Sequence, residues 1–237
     1  MIIKGKKVLI TGGASRLGAL ITQAFVEKDA EVAIHYFSSQ KEALHLKKKF
    51  NIHTFQADLG KVRDIKKLFQ GIKKTWGELD ILINNAAIFY RTPFLKTQEK
   101  DWDDFININL KSVFFCSQEA SKLMIKKKES HIINIADTGG SIMWPNYLAY
   151  CTSKSGVLAL TQGLAKTLAP KTCVNAIAPG TLLPPKNMNI KKLEDQSLLK
   201  KIGHPEQLIS SLVYLLQNDF ITGTILYLDG GRQLAER

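Results

Sequence analysis

The chain is expected to fold as a single α/β domain, a doubly wound parallel sheet of about seven strands with helices on both faces. Three observations predict it. Short β-branched runs alternate with helical stretches along the whole chain, an order that demands crossovers and parallel pairing. The runs are apolar nearly throughout, as strands are when both faces are buried. A glycine-rich turn follows the first run directly, where a strand hands over to a helix N-terminus able to receive a phosphate.

Taken in order, Lys7–Thr11 reads as the first strand, Arg16–Lys28 as the first helix and Glu31–Tyr36 as the second strand. Gln40–Phe50 has helical spacing, His53–Gln56 is a third strand, Val62–Trp76 is helical and Leu79–Asn84 is a fourth strand. Glu99–Lys128 reads as one long helical region, His131–Ala136 as the fifth strand, Tyr147–Leu168 as a helix and Cys173–Ala178 as the sixth strand. Pro205–Gln217 is helical and Thr224–Leu228 closes the series. The stretch from Thr181 to about Lys192, with Pro184 and Pro185, lacks periodicity; a loop of this length in a compact domain is usually functional or mobile. No repeat, linker or low-complexity tract interrupts the pattern.

Composition narrows the function classes. Apolar residues make up 45% of 237, enough for a large core. No run reaches the ~18 apolar residues of a membrane span, and Met1–Lys7 leads into a strand without a signal peptide, so the cytoplasm is the expected location. Cys116, Cys151 and Cys173 are odd in number and far apart, which fits a reducing compartment. The histidines, His35, His45, His53, His131 and His204, form no metal-ligand spacing. The net charge of +12, with the runs Lys47-Lys48-Lys49 and Lys126-Lys127-Lys128, raises nucleic acid as a partner. Both runs fall near helix ends, where cations suit the dipole and stay solvated, so no nucleic-acid or membrane partner is expected. The surplus favours anionic ligands.

The turn Thr11-Gly12-Gly13-Ala14-Ser15-Arg16-Leu17-Gly18 lets the backbone approach a pyrophosphate, although an ordinary strand–helix turn can look the same. It resembles the T-G-x-x-x-G-x-G turn of the short-chain dehydrogenase/reductase family, with Arg16 in place of the middle glycine. The resemblance runs from Lys6 to Arg232 in the family's order and implies one Rossmann-type dinucleotide-binding domain over residues 1–237, with a substrate loop at about 181–203. An NAD site typically ends the second strand with an acid. Here that strand ends in His35, Tyr36, Phe37, Ser38 and Ser39. Without a carboxylate to repel a 2'-phosphate, and with Arg16 able to supply charge, NADPH/NADP+ is the expected cofactor. Family correspondence adds Asp58 and Leu59 beside the adenine, Asn85, Ala86 and Ala87 after the fourth strand, and Pro179, Gly180 and Leu182 past the nicotinamide. A solvent-facing Arg16 is the plainer alternative.

Tyr150 and Lys154 are four residues apart on a predicted helix and share a face. An ammonium beside a phenol of pKa ~10 is expected to lower it, so that the pair can pass a proton. By resemblance Asn109, Tyr150 and Lys154 match the Asn-Tyr-Lys part of the family's tetrad. Asp137, at the end of the fifth strand, stands where the family has serine. Its charge would raise the phenol pKa and could silence the site. If burial raises the pKa of Asp137 itself, a protonated carboxyl can donate as serine would, or supply a proton, and the two groups titrate jointly.

Arg16, Asp137 and Phe89 together are similar to the pteridine reductases, including bacterial dihydromonapterin reductase-like members, as is the closing Leu228-Asp229-Gly230-Gly231-Arg232. That resemblance implies a pterin ring between the nicotinamide and Phe89, its polar edge facing Arg16, with Asp137 and Tyr150 delivering a proton to a ring nitrogen as hydride reaches the adjacent carbon. An aromatic platform suits a flat substrate, though Phe89 can also be a plain apolar wall. The same fold and cofactor would serve a ketone or 3-oxoacyl-carrier reductase, against which Asp137 weighs. A cofactor-binding protein without turnover is a third reading, against which Asn109, Tyr150 and Lys154 weigh. Family members are usually homotetramers or homodimers, and the same is expected here.

Overall fold

The computed structural model describes residues 1–127, 129–184 and 189–235. β1 (Lys7–Ile10), β2 (Glu31–Tyr36), β3 (His53–Gln56), β4 (Ile81–Asn84), β5 (Ser130–Ile135), β6 (Thr172–Pro179) and β7 (Ile225–Leu228) form one seven-stranded sheet in the order β3-β2-β1-β4-β5-β6-β7. Every neighbouring pair is parallel. The chain therefore winds outward from β1 in one direction and from β4 in the other, which opens a crevice at the carboxyl ends of β1 and β4, the usual ligand position in such sheets.

The helices are α1 (Arg16–Val26), α2 (Gln40–Phe50), α3 (Val62–Trp76), α4 (Glu99–Phe105), α5 (Ser112–Met124), α6 (Gly139–Ile142), α7 (Leu148–Leu168), α8 (Ile190–Glu194) and α9 (Pro205–Gln217). Strand residues alternate between two cores. Val8 and Ile10 join Phe25 of α1 and Leu212 of α9 on one face. Leu9, between them, joins Phe69 of α3, Cys116 of α5 and Ala165 of α7 on the other. Burial on both faces explains why these strands read as continuous apolar runs.

The long helical region predicted at Glu99–Lys128 is broken. Between α4 and α5 lies a π-helical turn, Ile106–Lys111, and α5 ends at Met124. Such a bulge is common at functional sites, and a period-based reading passes over it. Two short helices were also unforeseen, α6 because it opens on two glycines, poor helix formers, and α8 because it overlaps the aperiodic stretch. Lys47, Lys48 and Lys49 do close the last turn of α2. Lys127 differs from expectation: it is held between Glu78 and Asp80, at 2.7 and 3.0 Å, because it lies beside the amino ends of β1 and β4 rather than in open solvent. Lys128, and Pro185 within the expected substrate loop, fall outside the described residues. Among the described residues no helix is long and apolar enough to cross a membrane.

Candidate active site

β1 leads into the glycine-rich turn. Thr11 Oγ1 accepts from the amides of Asn85 and Ala86 at 2.9 and 3.0 Å, and Asn85 Nδ2 donates to the carbonyls of Thr11 and Gly12 at 2.9 and 3.2 Å. The turn after β1 is thus sewn to the loop after β4. Gly12 has φ +63°, and a Cβ on Gly18 would fall 2.0 Å from the Gly12 carbonyl oxygen, so neither position tolerates a side chain. Arg16 keeps φ at +48°, the left-handed conformation that glycine prefers, so this arginine is held in a form costing of order 1–3 kcal/mol, which persists mostly at functional sites. Its Nη2 donates to the Leu183 carbonyl at 3.4 Å and so leans toward the loop after β6. Ser15 precedes α1 without a side-chain cap, and Leu17 packs on the core.

His35 takes a different place from that expected. Its ring is buried; Nδ1 accepts from the Gly12 amide at 3.2 Å and Nε2 lies 3.0 Å from the Ala57 carbonyl. Both nitrogens are used by the protein, so His35 braces the turn from within rather than presenting a polar atom to a ligand. Burial pushes its pKa down to about 4. Tyr36 is buried too, whereas Ser38 at the head of α2 is exposed. Asp58 accepts from the Gly60 amide at 3.0 Å and pairs with Lys61 at 3.0 Å, and Leu59 beneath it is buried. The cradle fits a dinucleotide: glycines where a Cβ would collide, an acid-free end to β2, and a guanidinium beside the turn.

The carboxyl end of β5 carries the candidate catalytic groups. Asp137 Oδ1 accepts from the Gly139 amide at 2.7 Å, and the Tyr150 hydroxyl donates to Asp137 Oδ2 at 2.8 Å. Lys154, one turn along α7, donates to the Ile135 carbonyl at 2.9 Å and lies 5.9 Å from the centre of the Tyr150 ring. The π-turn buries Asn109, whose Oδ1 accepts from the Ile88 amide at 2.9 Å and whose Nδ2 donates to the Ile88 carbonyl and to Ser153 Oγ, at 3.0 and 3.2 Å. Asn109 thereby ties the loop after β4 to α7.

Electrostatics overturn one expectation. The phenol of Tyr150 is pushed well above its ordinary value, by burial first and by the charge and hydrogen bond of Asp137 next; Lys154 does not lower it. Burial pushes Asp137 up, against the Gly139 amide and the charge of Lys154, and brings Lys154 down to about 8. All three shift toward neutral forms, the condition under which a carboxyl becomes a proton donor.

An aromatic wall faces this group. Phe89 lies parallel to Tyr147, with centroids 4.9 Å apart, and edge-on to Tyr150 at 4.7 Å. It remains 55% exposed, leaving ring surface open. Trp144 lies nearly parallel to Tyr150 at 6.2 Å, and the guanidinium of Arg232 sits 4.6 Å from the centre of the Trp144 ring. Trp144, Tyr147 and Arg232 were not singled out as site residues from sequence; the position of Trp144 and Tyr147 between Asp137 and Tyr150 was the available signal. At the end of β6, Pro179 and Gly180 abut β7: the Gly180 amide donates to the Leu228 carbonyl at 3.0 Å, and a Cβ on Gly180 would meet Asp229 Cα at 3.0 Å. Leu182 is buried, whereas Ala87 is exposed.

Comparison with known proteins matches this architecture throughout. Residues 12–233 match the family described as enoyl-(acyl carrier protein) reductase. A 3-oxoacyl-[acyl-carrier-protein] reductase of Thermotoga maritima is 31% identical over 98% of this chain and 99% of its own. A (2S)-[(R)-hydroxy(phenyl)methyl]succinyl-CoA dehydrogenase subunit of Thauera aromatica is 34% identical over 99% of each. A short-chain dehydrogenase/reductase from Serratia marcescens superposes with a TM-score of 0.91 at 27% identity, over 98% of this chain and 100% of that one.

Proposed function

This chain belongs to the short-chain dehydrogenase/reductase family, and on that premise we propose that it is an NADPH-dependent reductase acting on the C=N bond of a pterin-type ring, a dihydropterin or the larger dihydrofolate. The observation that carries this reading is the buried contact between Asp137 and Tyr150 at 2.8 Å. A carbonyl reductase needs one proton donor at oxygen, which a phenol serves. A ring nitrogen that must gain a proton as its neighbouring carbon is reduced is better matched by a carboxyl held neutral by burial.

The turn Thr11–Gly18 and the Asn85–Ala87 loop would hold NADPH, with Ser38 and Ser39 able to meet a 2'-phosphate, and the bound cofactor would supply the hydride. The chain's own residues do the rest. Phe89 offers a flat surface on which a heteroaromatic ring can lie. Arg16 supplies donors for its polar edge. Asp137 holds the proton, and Tyr150 connects it to the substrate face. Lys154 fixes the end of β5 through Ile135 and adds charge near the pair. Asn109 keeps the Phe89 loop at its distance from α7. A homodimer or homotetramer is part of the proposal; exposed Phe114 on α5 and Phe220 before β7 support an interface.

A second reading, reduction of a 3-oxoacyl thioester, has the names of the relatives behind it, and on that ground those names favour it over a pterin. The site favours the pterin, because Asp137 replaces the family's serine. The test is NADPH consumption, with NADH as control, against dihydropterin, dihydrofolate and a 3-oxoacyl thioester. A dihydropterin rate that falls ~100-fold in Asp137→Ser, with no thioester turnover, supports the proposal. Turnover of the thioester alone sinks it in favour of the second reading.

A further inference from the structure

We propose that Arg232 is a positioning residue for the proton of the Asp137–Tyr150 pair, acting from the C-terminal segment through Trp144 and through its charge. This rests on the reading that Asp137 is the proton donor, and goes beyond it by adding a residue from outside the family's tetrad.

The geometry runs in one line. The Arg232 guanidinium lies over the Trp144 ring at 4.6 Å. Trp144 in turn lies alongside Tyr150 and edge-on to Phe89, at 6.2 and 6.3 Å. The same indole closes on Asp137 across Gly139: a Cβ there would stand 3.1 Å from Trp144 Cζ3 and Cη2 and 3.1 Å from Asp137 Oδ1. The segment carrying Arg232 is anchored beside Asp137. Asp229 accepts from Thr138 Oγ1 at 2.7 Å and from the amides of Gly231 and Gln233 at 2.9 Å. Its carboxylate is thus committed to holding the backbone, and Arg232 makes no direct ion pair among the described residues.

The charges around Asp137 are few enough to name. α7 presents Tyr150, Lys154 and the Cys151 thiol; the end of β5 leads to the Gly139 amide; the C-terminal segment presents Arg232, with Asp229 one residue further along the contact through Thr138. Lys154 and Arg232 are the two cations that oppose the effect of burial on Asp137. A carboxyl buried without them would hold its proton too tightly to release it. Arg232 sets how readily the proton leaves, and the planar guanidinium on the indole keeps Trp144 and Tyr150 in register.

The experiment is the pH profile of kcat/KM for dihydropterin reduction in the wild type, Arg232→Gln, Arg232→Lys and Asp137→Ser. A protonated donor gives a rate that falls as pH rises through the pair's apparent pKa. Removing a cation raises that pKa, so Arg232→Gln is expected to move the falling limb upward by about one pH unit, the scale of a single nearby charge. Arg232→Lys keeps the charge and loses the planar stack, so its limb stays in place while KM rises several-fold. A limb present in the wild type, absent in Asp137→Ser and unmoved in Arg232→Gln overturns the inference alone. A limb that survives Asp137→Ser overturns the donor reading and the inference with it.

Discussion

At the amino ends of β1 and β4, Lys7 and Lys127 close on Glu78 at 2.9 and 2.7 Å, and Lys127 also reaches Asp80 at 3.0 Å. At the carboxyl end of β5, Asp137, Tyr150 and Lys154 lie together without an ion pair among them. Both clusters border the same sheet and contain acids and amines. At the amino end each charge has an opposite charge in contact and Glu78 is open to solvent, and the two lysines hold the Glu78 carboxyl down at about 2. At the carboxyl end burial dominates; acid, phenol and amine shift toward neutrality. Fully paired charges fix structure and leave no proton to move, whereas buried and underpaired groups keep protons within reach of a ligand.

If the carboxyl-end cluster is the proton-handling centre, Tyr150→Phe should give the greatest loss. The ring and its contacts with Phe89 and Trp144 survive, and only the hydroxyl that meets Asp137 is gone. Acid–base groups contribute ~10²–10⁴-fold, so kcat is expected to fall by at least ~100-fold while NADPH affinity, followed by cofactor fluorescence, stays within a few-fold. An equal loss of cofactor affinity would assign Tyr150 to binding instead.

Much of this contrast was legible from the residues. The alternation of apolar runs and helices placed every strand of the sheet, most plainly β4 and β5, which are buried throughout, whereas β3 and β7 at the two edges contain no buried residue. Tyr150 and Lys154 were found from their helical spacing, and Asp137 and Asn109 from the family resemblance; the structure gathers Asp137, Tyr150 and Lys154 at one place, with Asn109 bracing the adjoining loop. Three things were not legible. The π-turn at Ile106–Lys111 changes a hydrogen-bond register without changing composition. The role of His35 as an internal brace depends on where two backbone groups lie, Gly12 and Ala57, and these are distant in sequence. The direction of the Tyr150 shift turned first on burial and then on the contact with Asp137; the residues named Lys154 and Asp137 as opposing influences, but not how deeply the phenol is buried.

Lys154→Met gives a smaller effect on stability, with a definite sign. In the folded chain Lys154 has a pKa of about 8 against an ordinary 10.5. Below pH 8 both states carry the proton, and the cost of burying the ammonium is present in full. Between about 8 and 10.5 the folded state has released the proton and the unfolded state has not, so this group's contribution to stability rises with pH. The melting temperature of wild type minus that of Lys154→Met should therefore increase by a few degrees from pH 8 to pH 10. A flat difference would mean that the buried amine is already neutral, or is solvated on opening, and would remove it from the underpaired cluster.

Glu78→Gln probes the opposite rim and should do least. Glu78 is substantially exposed, and exposed pairs are worth ~0–1 kcal/mol each, so loss of its two pairs should lower the melting temperature at pH 7 by about 4–8 °C at most, with kcat and KM unchanged. The sign of the pH dependence is again fixed. A carboxyl lowered from 4.5 to about 2 stabilises above its unfolded pKa and loses that contribution as pH falls through the folded one. Wild type and Glu78→Gln should therefore differ at pH 7 and converge as pH drops from 4.5 toward 2. Convergence without any change in the pH–rate profile would confine the amino-end cluster to structure. A shifted profile would mean that its charges are felt across the length of the strands, and that the two rims are one electrostatic system.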